Sequence, residues 1–207
     1  MDSATALYWA KMQGYAPVGL CARYGQRHSR ELNAARAVAK AAKIPLHVVE
    51  LKLPWLRVSS LLDKSKKLPD LPLAKIGRGG IPSTYVPGRN TIFLALGVSL
   101  ADALGANAVV LGANALDYSG YPDCRPNYLN AFSKVARLGT KTGNIKILAP
   151  LTALDKRGIV RLAAKLKVPL RLTWSCYAGG AKPCGRCDSC KLRGKGFLEA
   201  GLEDPAL

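Results

Sequence analysis

Apolar residues recur along this chain with two periodicities, one typical of helices and one typical of strands, and segments of the two kinds alternate. Over 4–12 they recur at helical spacing, which predicts a first helix that ends near Gly14. Asp2 or Ser3 is the expected N-cap of this helix. The pattern continues with predicted strands over 17–22, 46–51, 108–112 and 145–148, and with predicted helices over 29–43, 91–104, 127–138 and 156–166. Alternating strands and helices are typical of α/β proteins, so we predict a doubly wound, Rossmann-like parallel sheet.

Residues 58–87 show neither helical nor strand periodicity and are rich in glycine and proline, so we predict a long loop there. Loops of this length are uncommon within a compact domain and are usually functional or mobile. Because this loop is also basic, the sequence predicts a lid over an anionic ligand. A disordered insertion is the alternative that the sequence leaves open.

Length and composition place the chain among ordinary globular proteins. Its 207 residues are 49% hydrophobic and 21% charged, which is enough to bury the core of one domain. The longest apolar stretch, 90–103, includes Asp102 and is shorter than the ~20 residues of a membrane-spanning helix. The first residues lack the basic and apolar regions of a secretory signal, so we predict a cytoplasmic protein without a membrane partner.

The charge balance is strongly basic. Thirty-one Lys and Arg residues against thirteen Asp and Glu residues give a net charge of +18. Such a charge favours polyanionic partners such as nucleotides or RNA. The cations are spread along the chain without an RNA-reading motif, so a generally basic surface explains them equally well.

Four of the six cysteines lie close together near the C-terminus. Cys176, Cys184, Cys187 and Cys190 have the spacing C-x7-C-x2-C-x2-C. Cytoplasmic thiols stay reduced, and four thiolates are a standard ligand set for a structural zinc ion, which then has no open position for a substrate. We therefore predict a zinc-binding C-terminal segment over 174–207. An iron–sulfur cluster is the main alternative, whereas a redox C-x-x-C pair leaves two thiols unexplained.

The loops after the predicted strands carry the most distinctive residues, and ligands of open α/β sheets bind at those strand ends. These loops read Tyr24-Gly25-Gln26-Arg27-His28, Thr84-Tyr85-Val86-Pro87-Gly88-Arg89-Asn90, Asp117-Tyr118-Ser119-Gly120-Tyr121-Pro122-Asp123-Cys124-Arg125 and Pro150-Leu151-Thr152-Ala153-Leu154-Asp155-Lys156. Together with the cluster that begins Trp174-Ser175-Cys176-Tyr177, they closely resemble the QueC family of 7-cyano-7-deazaguanine synthases. The resemblance covers essentially the whole chain, in order.

The resemblance implies a fold of the adenine-nucleotide alpha-hydrolase type, with an ATP-pyrophosphatase-type domain over 1–173 and the zinc segment packed on it. It implies an ATP- and Mg²⁺-dependent ligase of queuosine biosynthesis. The substrates would be 7-carboxy-7-deazaguanine and ammonia, and the product would be 7-cyano-7-deazaguanine (preQ0). It also implies a homodimer and no direct binding of nucleic acid.

The start of the chain departs from the family pattern. Members carry a pyrophosphate-binding loop, Ser-Gly-Gly-x-Asp-Ser, between a strand and a helix, whereas this chain opens with Met1-Asp2-Ser3. Glycines in that loop let backbone N–H groups approach a phosphate at a helix N-terminus. We therefore expect that Met1 is internal to the natural protein and that a central strand precedes it. An inactive or split relative is the alternative.

The resemblance and the local chemistry together assign roles to individual residues. Asp2 and Ser3 match the end of the phosphate loop, although without the family they are typical of helix caps. Lys156 opens a helix and suits a phosphate contact. The expected ATP-binding residues are Asp2, Ser3, Tyr24, Gln26, Arg27 and His28; the expected catalytic residues are Arg89, Asp123, Arg125 and Lys156; and the expected substrate-binding residues are Asn90, Asp117, Tyr118 and Tyr121.

Several of these roles have structural alternatives. Asp123 is expected at the edge of the deazaguanine base, and Arg125 at its carboxylate or at a phosphate. His28 is a candidate proton carrier for ammonium, but a lone histidine is more often structural. Asn90 is also suited to a helix cap.

Two other functions compete with the synthase. A zinc-containing nucleic-acid-binding module would use the net charge and the cysteine cluster for salt-dependent RNA binding without nucleotide turnover. A relative that modifies another 7-deazapurine, destined for DNA, is a further alternative.

Overall fold

A computed structural model of the chain describes residues 1–114 and 120–206. Strands and helices alternate along it, which confirms the predicted α/β class. The helices are α1 (Asp2–Met12), α2 (Arg30–Ala42), α3 (Arg89–Ala103), α4 (Pro126–Leu138), α5 (Lys156–Lys165) and α6 (Asp188–Ala200). The strands are β1 (Gly19–Arg23), β2 (Leu46–Glu50), β3 (Ala108–Val110) and β4 (Lys146–Leu148).

The four strands form two parallel pairs. β1 pairs with β2, starting from Gly19 opposite Leu46, and β3 pairs with β4, starting from Ala108 opposite Lys146. Each pair is connected through a helix, as parallel strands require. The prediction of parallel strands is confirmed, but over 1–114 and 120–206 the two pairs are not joined into one sheet. The end of β3 instead meets the start of α1, which lies against Gly112.

The first helix buries a face of small residues. Ala4 packs with residues of α5, and Ala6 packs with residues of α5 and β3. The predicted cap is wrong, because Met1 is the N-cap and Asp2 and Ser3 are the first two helical residues. The physical reason is that the Asp2 carboxylate binds side chains of other elements instead of a backbone N–H of its own helix.

The predicted loop at 58–87, called the lid below, has a folded path. It begins at the end of the 3₁₀ helix Pro54–Val58 and contains a second one, Leu73–Lys75. Its two ends are tied together, because Ser60 N donates to Ser83 O over 2.8 Å. The structure therefore differs from the disordered insertion that the sequence left open.

The C-terminal segment adds a helix that the sequence analysis did not predict. Cys187 is the N-cap of α6, and Cys190 lies in its first turn, so metal-ligand spacing dominates the pattern where the helix begins. Phe197 of α6 is buried in the same cluster as Val160 and Ala163 of α5. Helix α6 therefore packs directly on α5, and the predicted domain boundary at 173/174 stays a prediction.

The helices that the structure describes are of ordinary globular length, and the longest of these, α3, has 15 residues. Over residues 1–114 and 120–206, none combines the length and apolarity that a membrane crossing requires.

Candidate active site

A cleft of about 270 Å³ opens where the first residues of α1 and α5, the first turns of α6 and the lid come together. Helix N-termini carry backbone N–H groups without helical acceptors and a partial positive charge, which favour anions. Its lining includes the charged and aromatic residues Asp2, Lys75, Arg78, Tyr121, Lys156 and Tyr177. The location of the cleft suits a negatively charged ligand.

Asp2 and Lys156 form an ion pair in this cleft. Lys156 Nζ lies 2.5 Å from Asp2 Oδ2, and the two side chains are only 14% and 23% exposed. Asn114, fully buried after β3, donates from Nδ2 to the same oxygen over 3.0 Å. Burial alone would raise the pKa of the Asp2 carboxyl, but the Lys156 ammonium holds that pKa below its usual value. The carboxylate is therefore ionised and fixes the direction of the Lys156 side chain.

Gly112 allows the close approach that builds this pair. A Cβ added at Gly112 would lie 2.7 Å from Ser3 N and 2.8 Å from the carbonyl carbon of Asp2. Both neighbours are backbone atoms, so a larger residue would displace the start of α1. Glycine thus brings the end of β3 against α1 and places Asn114 within reach of Asp2.

The lid contributes two cations to the cleft. Lys75 and Arg78 lie in its lining with Lys156, and clustered positive charge attracts anionic ligands. A basic lid was predicted, but without a role for these two residues. Their positive charge within a glycine-rich loop was the feature from which their place in the site could have been predicted.

Tyr121 is the predicted substrate residue that the structure places in the cleft lining. Its hydroxyl lies 2.8 Å from Thr84 Oγ1 in the lid, and its ring centroid lies 6.1 Å from that of Tyr85. Tyr177, from the cysteine segment, also lines the cleft. Aromatic rings beside polar groups suit a flat heterocycle.

Tyr24 and Gln26 bind neighbouring protein groups at the end of β1. Gln26 Nε2 donates to Ala22 O, and Tyr24 N donates to Gln26 Oε1, each over 2.9 Å. Tyr24 is buried edge-on against Phe93, and burial raises the pKa of its phenol. Arg89 donates from Nη1 to the Tyr24 hydroxyl over 3.4 Å. Tyr24, Gln26 and Arg89 lie outside the cleft lining, and their predicted roles stay predictions.

Arg27 binds the base of the lid. Its Nε donates to Ser60 O over 2.7 Å, and its Nη2 donates to Asp63 O over 2.6 Å and to Lys66 O. These bonds to backbone carbonyls account for a guanidinium at this position without a nucleotide. A role in ATP binding stays a prediction.

His28 contacts the cysteine segment. Its ring lies so close to Gly179 that a Cβ there would approach His28 Cδ2 to 2.1 Å, and its centroid lies 6.3 Å from that of Trp174. Within the described part of the chain, the buried Nδ1 atom has no hydrogen-bond partner. Gly179 also has φ +72°, so both the nearby His28 ring and the left-handed backbone favour glycine there. The predicted proton-carrier role of His28 is untested.

Asp123 and Asn90 bind each other at the start of α3. Asp123, only 5% exposed, accepts from Asn90 N through Oδ2 over 2.8 Å, and Asn90 Nδ2 donates to Cys124 Sγ over 2.9 Å. Asp123, rather than Asn90, therefore satisfies a free N–H of the helix. Arg125 is exposed as the N-cap residue of α4. These residues lie outside the cleft lining, and their predicted roles stay predictions.

Two predicted substrate residues, Asp117 and Tyr118, lie outside the described residues. Asn114 received no predicted role, although it lies only three residues before the quoted loop that begins at Asp117. The available signal for Asn114 was an amide side chain shortly after a predicted parallel strand, because ligands bind at such strand ends.

The four clustered cysteines form a candidate metal centre. The sulfur atoms of Cys176, Cys184, Cys187 and Cys190 all lie within 4.8 Å of one another, and the Cys184 and Cys190 sulfurs are 4.0 Å apart. Tetrahedral zinc with Zn–S bonds of about 2.3 Å would hold sulfur pairs roughly 3.8 Å apart. All four thiols are free of disulfides. The donor set therefore fits a zinc ion.

Backbone N–H groups surround these sulfurs. Ala178 N and Cys184 N donate to Cys176 Sγ over 3.4 and 3.3 Å, and Cys187 N donates to Cys184 Sγ over 3.4 Å. Burial would raise the pKa of Cys184, but the N–H groups of Cys187 and Arg186 lower that pKa to about 7. The loop thus favours the thiolate form of Cys184, whereas burial raises the pKa of the Cys187 and Cys190 thiols.

Comparison with known proteins finds relatives that match nearly the whole chain. The family model described as queuosine biosynthesis protein QueC matches residues 1–201. A 7-cyano-7-deazaguanine synthase of Synechococcus elongatus is 52% identical over 209 residues, which cover 99% of this chain and 89% of that protein. Synthases of the same name from Prochlorococcus marinus (strain NATL1A) and Thermosynechococcus vestitus are 49% and 50% identical, and the matches cover 99% of this chain and 92% and 90% of theirs.

Proposed function

This chain belongs to the QueC family, and on that premise we propose that it converts 7-carboxy-7-deazaguanine and ammonia into 7-cyano-7-deazaguanine with ATP. The observation that carries the proposal is the Asp2–Lys156 pair, where two helix N-termini meet beneath a basic lid. The product comes from the name of the relatives, which are about half identical to this chain over nearly its whole length. The carboxylated substrate is the one that the family resemblance implies.

The reaction needs the carboxylate oxygen turned into a leaving group. The carboxylate attacks the α-phosphorus of ATP and releases pyrophosphate, and ammonia then displaces AMP to form the amide. The amide oxygen attacks a second ATP in the same way, and loss of AMP and of both N–H protons leaves the nitrile. Most of the protein's contribution is positioning and stabilisation of charge on the phosphates.

Lys156 and the start of α1 are the groups that we assign to the phosphates. Lys156 supplies a positive charge whose position is fixed by Asp2. The first backbone N–H groups of α1 have no acceptor within their own helix. Ser3 itself lies outside the cleft lining, and its predicted role stays a prediction. Lys75 and Arg78 would add positive charge from the lid.

Asp2 is the carboxylate that we assign to Mg²⁺. This ion is usually held in nucleotide sites by one or two carboxylates together with substrate phosphates, so a single aspartate fits. Asp188 also lines the cleft, but its Oδ1 accepts from Leu71 N over 2.9 Å. The ion would neutralise charge on the pyrophosphate.

The deazaguanine is assigned to the aromatic part of the cleft. Tyr121 and Tyr177 offer rings for stacking on a flat base. Asp123 remains our candidate for the base edge and Arg125 for the substrate carboxylate. Replacing Asp123 by Asn should then raise the KM for 7-carboxy-7-deazaguanine or abolish turnover, and unchanged kinetics would refute the assignment.

The cysteine cluster would hold a structural zinc ion. Four thiolates leave no coordination position for a substrate, so the ion would supply a cross-link that folds the segment 174–207. That segment contributes Ser175 and Tyr177 to the cleft. The metal would therefore shape the site without taking part in the chemistry.

The decisive assay follows product formation. The purified chain is incubated with 7-carboxy-7-deazaguanine, ammonium, ATP and Mg²⁺, and the nitrile, AMP and pyrophosphate are measured. We expect AMP formation that depends on the carboxylated base, and about two AMP for each nitrile. AMP formation without the base, or salt-dependent RNA binding without turnover, would contradict the proposal. A cytoplasmic location and a homodimer stay predictions.

A further inference from the structure

The lid is attached to α6 through a short stretch of backbone at residues 69–71. Leu71 N donates to Asp188 Oδ1 over 2.9 Å, and Asp188 N donates to Pro69 O over 3.3 Å. Lys191 Nζ donates to Asp70 Oδ1 over 2.5 Å and to Leu71 O over 2.8 Å. Two residues of α6 thus make four hydrogen bonds to three consecutive lid residues, and we call this contact the lid anchor.

Both anchoring residues are neighbours of predicted metal ligands. Asp188 directly follows Cys187, and Lys191 directly follows Cys190, all at the start of α6. The sulfurs of these two cysteines belong to the cluster that fits a zinc ion. Whatever fixes that cluster therefore also fixes the positions of Asp188 and Lys191.

The stretch of lid beyond the anchor lines the cleft. Residues 75–80 include Lys75 and Arg78, the two cations that the lid brings to the lining. The backbone N–H groups of Lys75, Ile76 and Arg78 all donate to lid carbonyls three residues earlier, so this stretch is tied mainly to itself. Its position over the cleft then depends on the anchor at 69–71 on one side and on the contacts of Ser83 and Thr84 on the other.

We propose that Asp188 and Lys191 are positioning residues that couple the metal centre to the active site by holding the lid over the cleft. A bound metal would order the first turn of α6, the turn would hold residues 69–71, and the anchored lid would present Lys75 and Arg78 to the anionic substrates. The kinetic part of this inference rests on the proposed function, whereas the structural part does not.

Limited proteolysis tests the structural part without any activity assay. The lid contains trypsin sites at Lys64, Lys66, Lys67, Lys75 and Arg78. In Asp70→Ala, Asp188→Asn and Lys191→Met we expect the initial rate of cleavage within the lid to rise roughly five- to tenfold over wild type, because hydrogen bonds to charged groups restrain opening and cleavage follows the open population. Asp70 lies in the lid, so its replacement leaves every residue of the metal segment intact.

Lys195→Met is the matched control. Lys195 lies on the same helix and pairs with Glu199 over 3.7 Å, not with the lid. Zinc content is measured in every variant. Lid cleavage that stays at the wild-type rate in Asp70→Ala and Lys191→Met, or that rises equally in Lys195→Met, would overturn the inference. Removing the metal from wild type with a chelator should also accelerate lid cleavage, and an unchanged rate would contradict the coupling.

Kinetics then separate positioning from chemistry. The anchor variants should raise the KM for ATP and for 7-carboxy-7-deazaguanine about tenfold and leave kcat near the wild-type value. A fall in kcat at unchanged KM would show that Asp188 and Lys191 do not act through substrate binding. If wild type forms no nitrile, the proposed function fails, but the proteolysis still decides whether the lid anchor exists.

Discussion

Gly196 of α6 lies directly against the backbone of Lys156. A Cβ added at Gly196 would come within 2.9 Å of Lys156 Cβ and 3.0 Å of its carbonyl oxygen. Glycine within a helix costs about 1 kcal/mol relative to alanine, so packing explains its place here. The contact joins the cysteine segment to the residue that pairs with Asp2.

Replacing Gly196 by Ala should push α6 away from Lys156. We expect a loss of roughly 1–3 kcal/mol in the free energy of unfolding and a lower kcat/KM, because overpacking at backbone moves the Lys156 ammonium. Urea unfolding and steady-state kinetics measure the two effects.

Gly194→Ala is the control on the same helix. No atom lies within 4 Å of a Cβ built at Gly194, so alanine there should be neutral or should stabilise by up to ~1 kcal/mol. Equal effects of the two substitutions would contradict the packing argument.

The Asp2–Lys156 pair should be essential for turnover and should act as a unit. Lys156→Met should lower kcat/KM by about 100-fold or more, since it removes a fixed charge from the developing pyrophosphate. Asp2→Asn should also lower it, because Lys156 then loses the acceptor that directs it.

A double-mutant cycle measures the coupling of the two residues. If they act together, the double variant should be little worse than Lys156→Met alone. Strictly additive losses would show that Asp2 and Lys156 contribute independently.

The same pair predicts a pH dependence of stability. The pKa of Asp2 is lowered in the folded state, so its stabilising contribution is complete above the unfolded pKa of about 3.9 and is lost as the pH falls through the folded pKa. The stability difference between wild type and Asp2→Asn should therefore shrink as the pH falls below about 4.

Denaturant unfolding across pH 3 to 7 provides this measurement. Loss of metal at acidic pH affects both proteins alike and cancels from the difference. A difference that instead grows as the pH falls would show that the Asp2 carboxylate is not stabilised by Lys156 in the folded protein.

Zinc should be bound once per chain and should support the C-terminal segment. Elemental analysis should find one zinc for each chain, and Cys187→Ser should lose most of it and expose the segment 174–207 to proteolysis. Cys21, which is half-buried and lies outside the cluster, provides the control, because Cys21→Ser should keep the metal. Iron in place of zinc would contradict the assignment.

Local patterns predicted most of the elements. Among the elements of residues 1–114 and 120–206, five of six helices and all four strands lie within a few residues of their predicted positions, because hydrophobic periodicity is a local property of the chain. Helix α6 was not predicted, since the closely spaced cysteines interrupt the hydrophobic periodicity where the helix begins. The predicted cap at Asp2 failed because its carboxylate binds Lys156, 154 residues away.

The sequence by itself determined the α/β class, the four clustered cysteines that fit a metal and the family, because each rests on residue types at short, fixed spacings. Only the tertiary structure decided which predicted residues share a cleft. Asp2, Tyr121 and Lys156 meet there, whereas Arg27 binds the lid and Asp123 binds the start of α3. Such choices depend on how distant elements pack, and a side chain binds whichever charged or polar group that packing brings within hydrogen-bond distance.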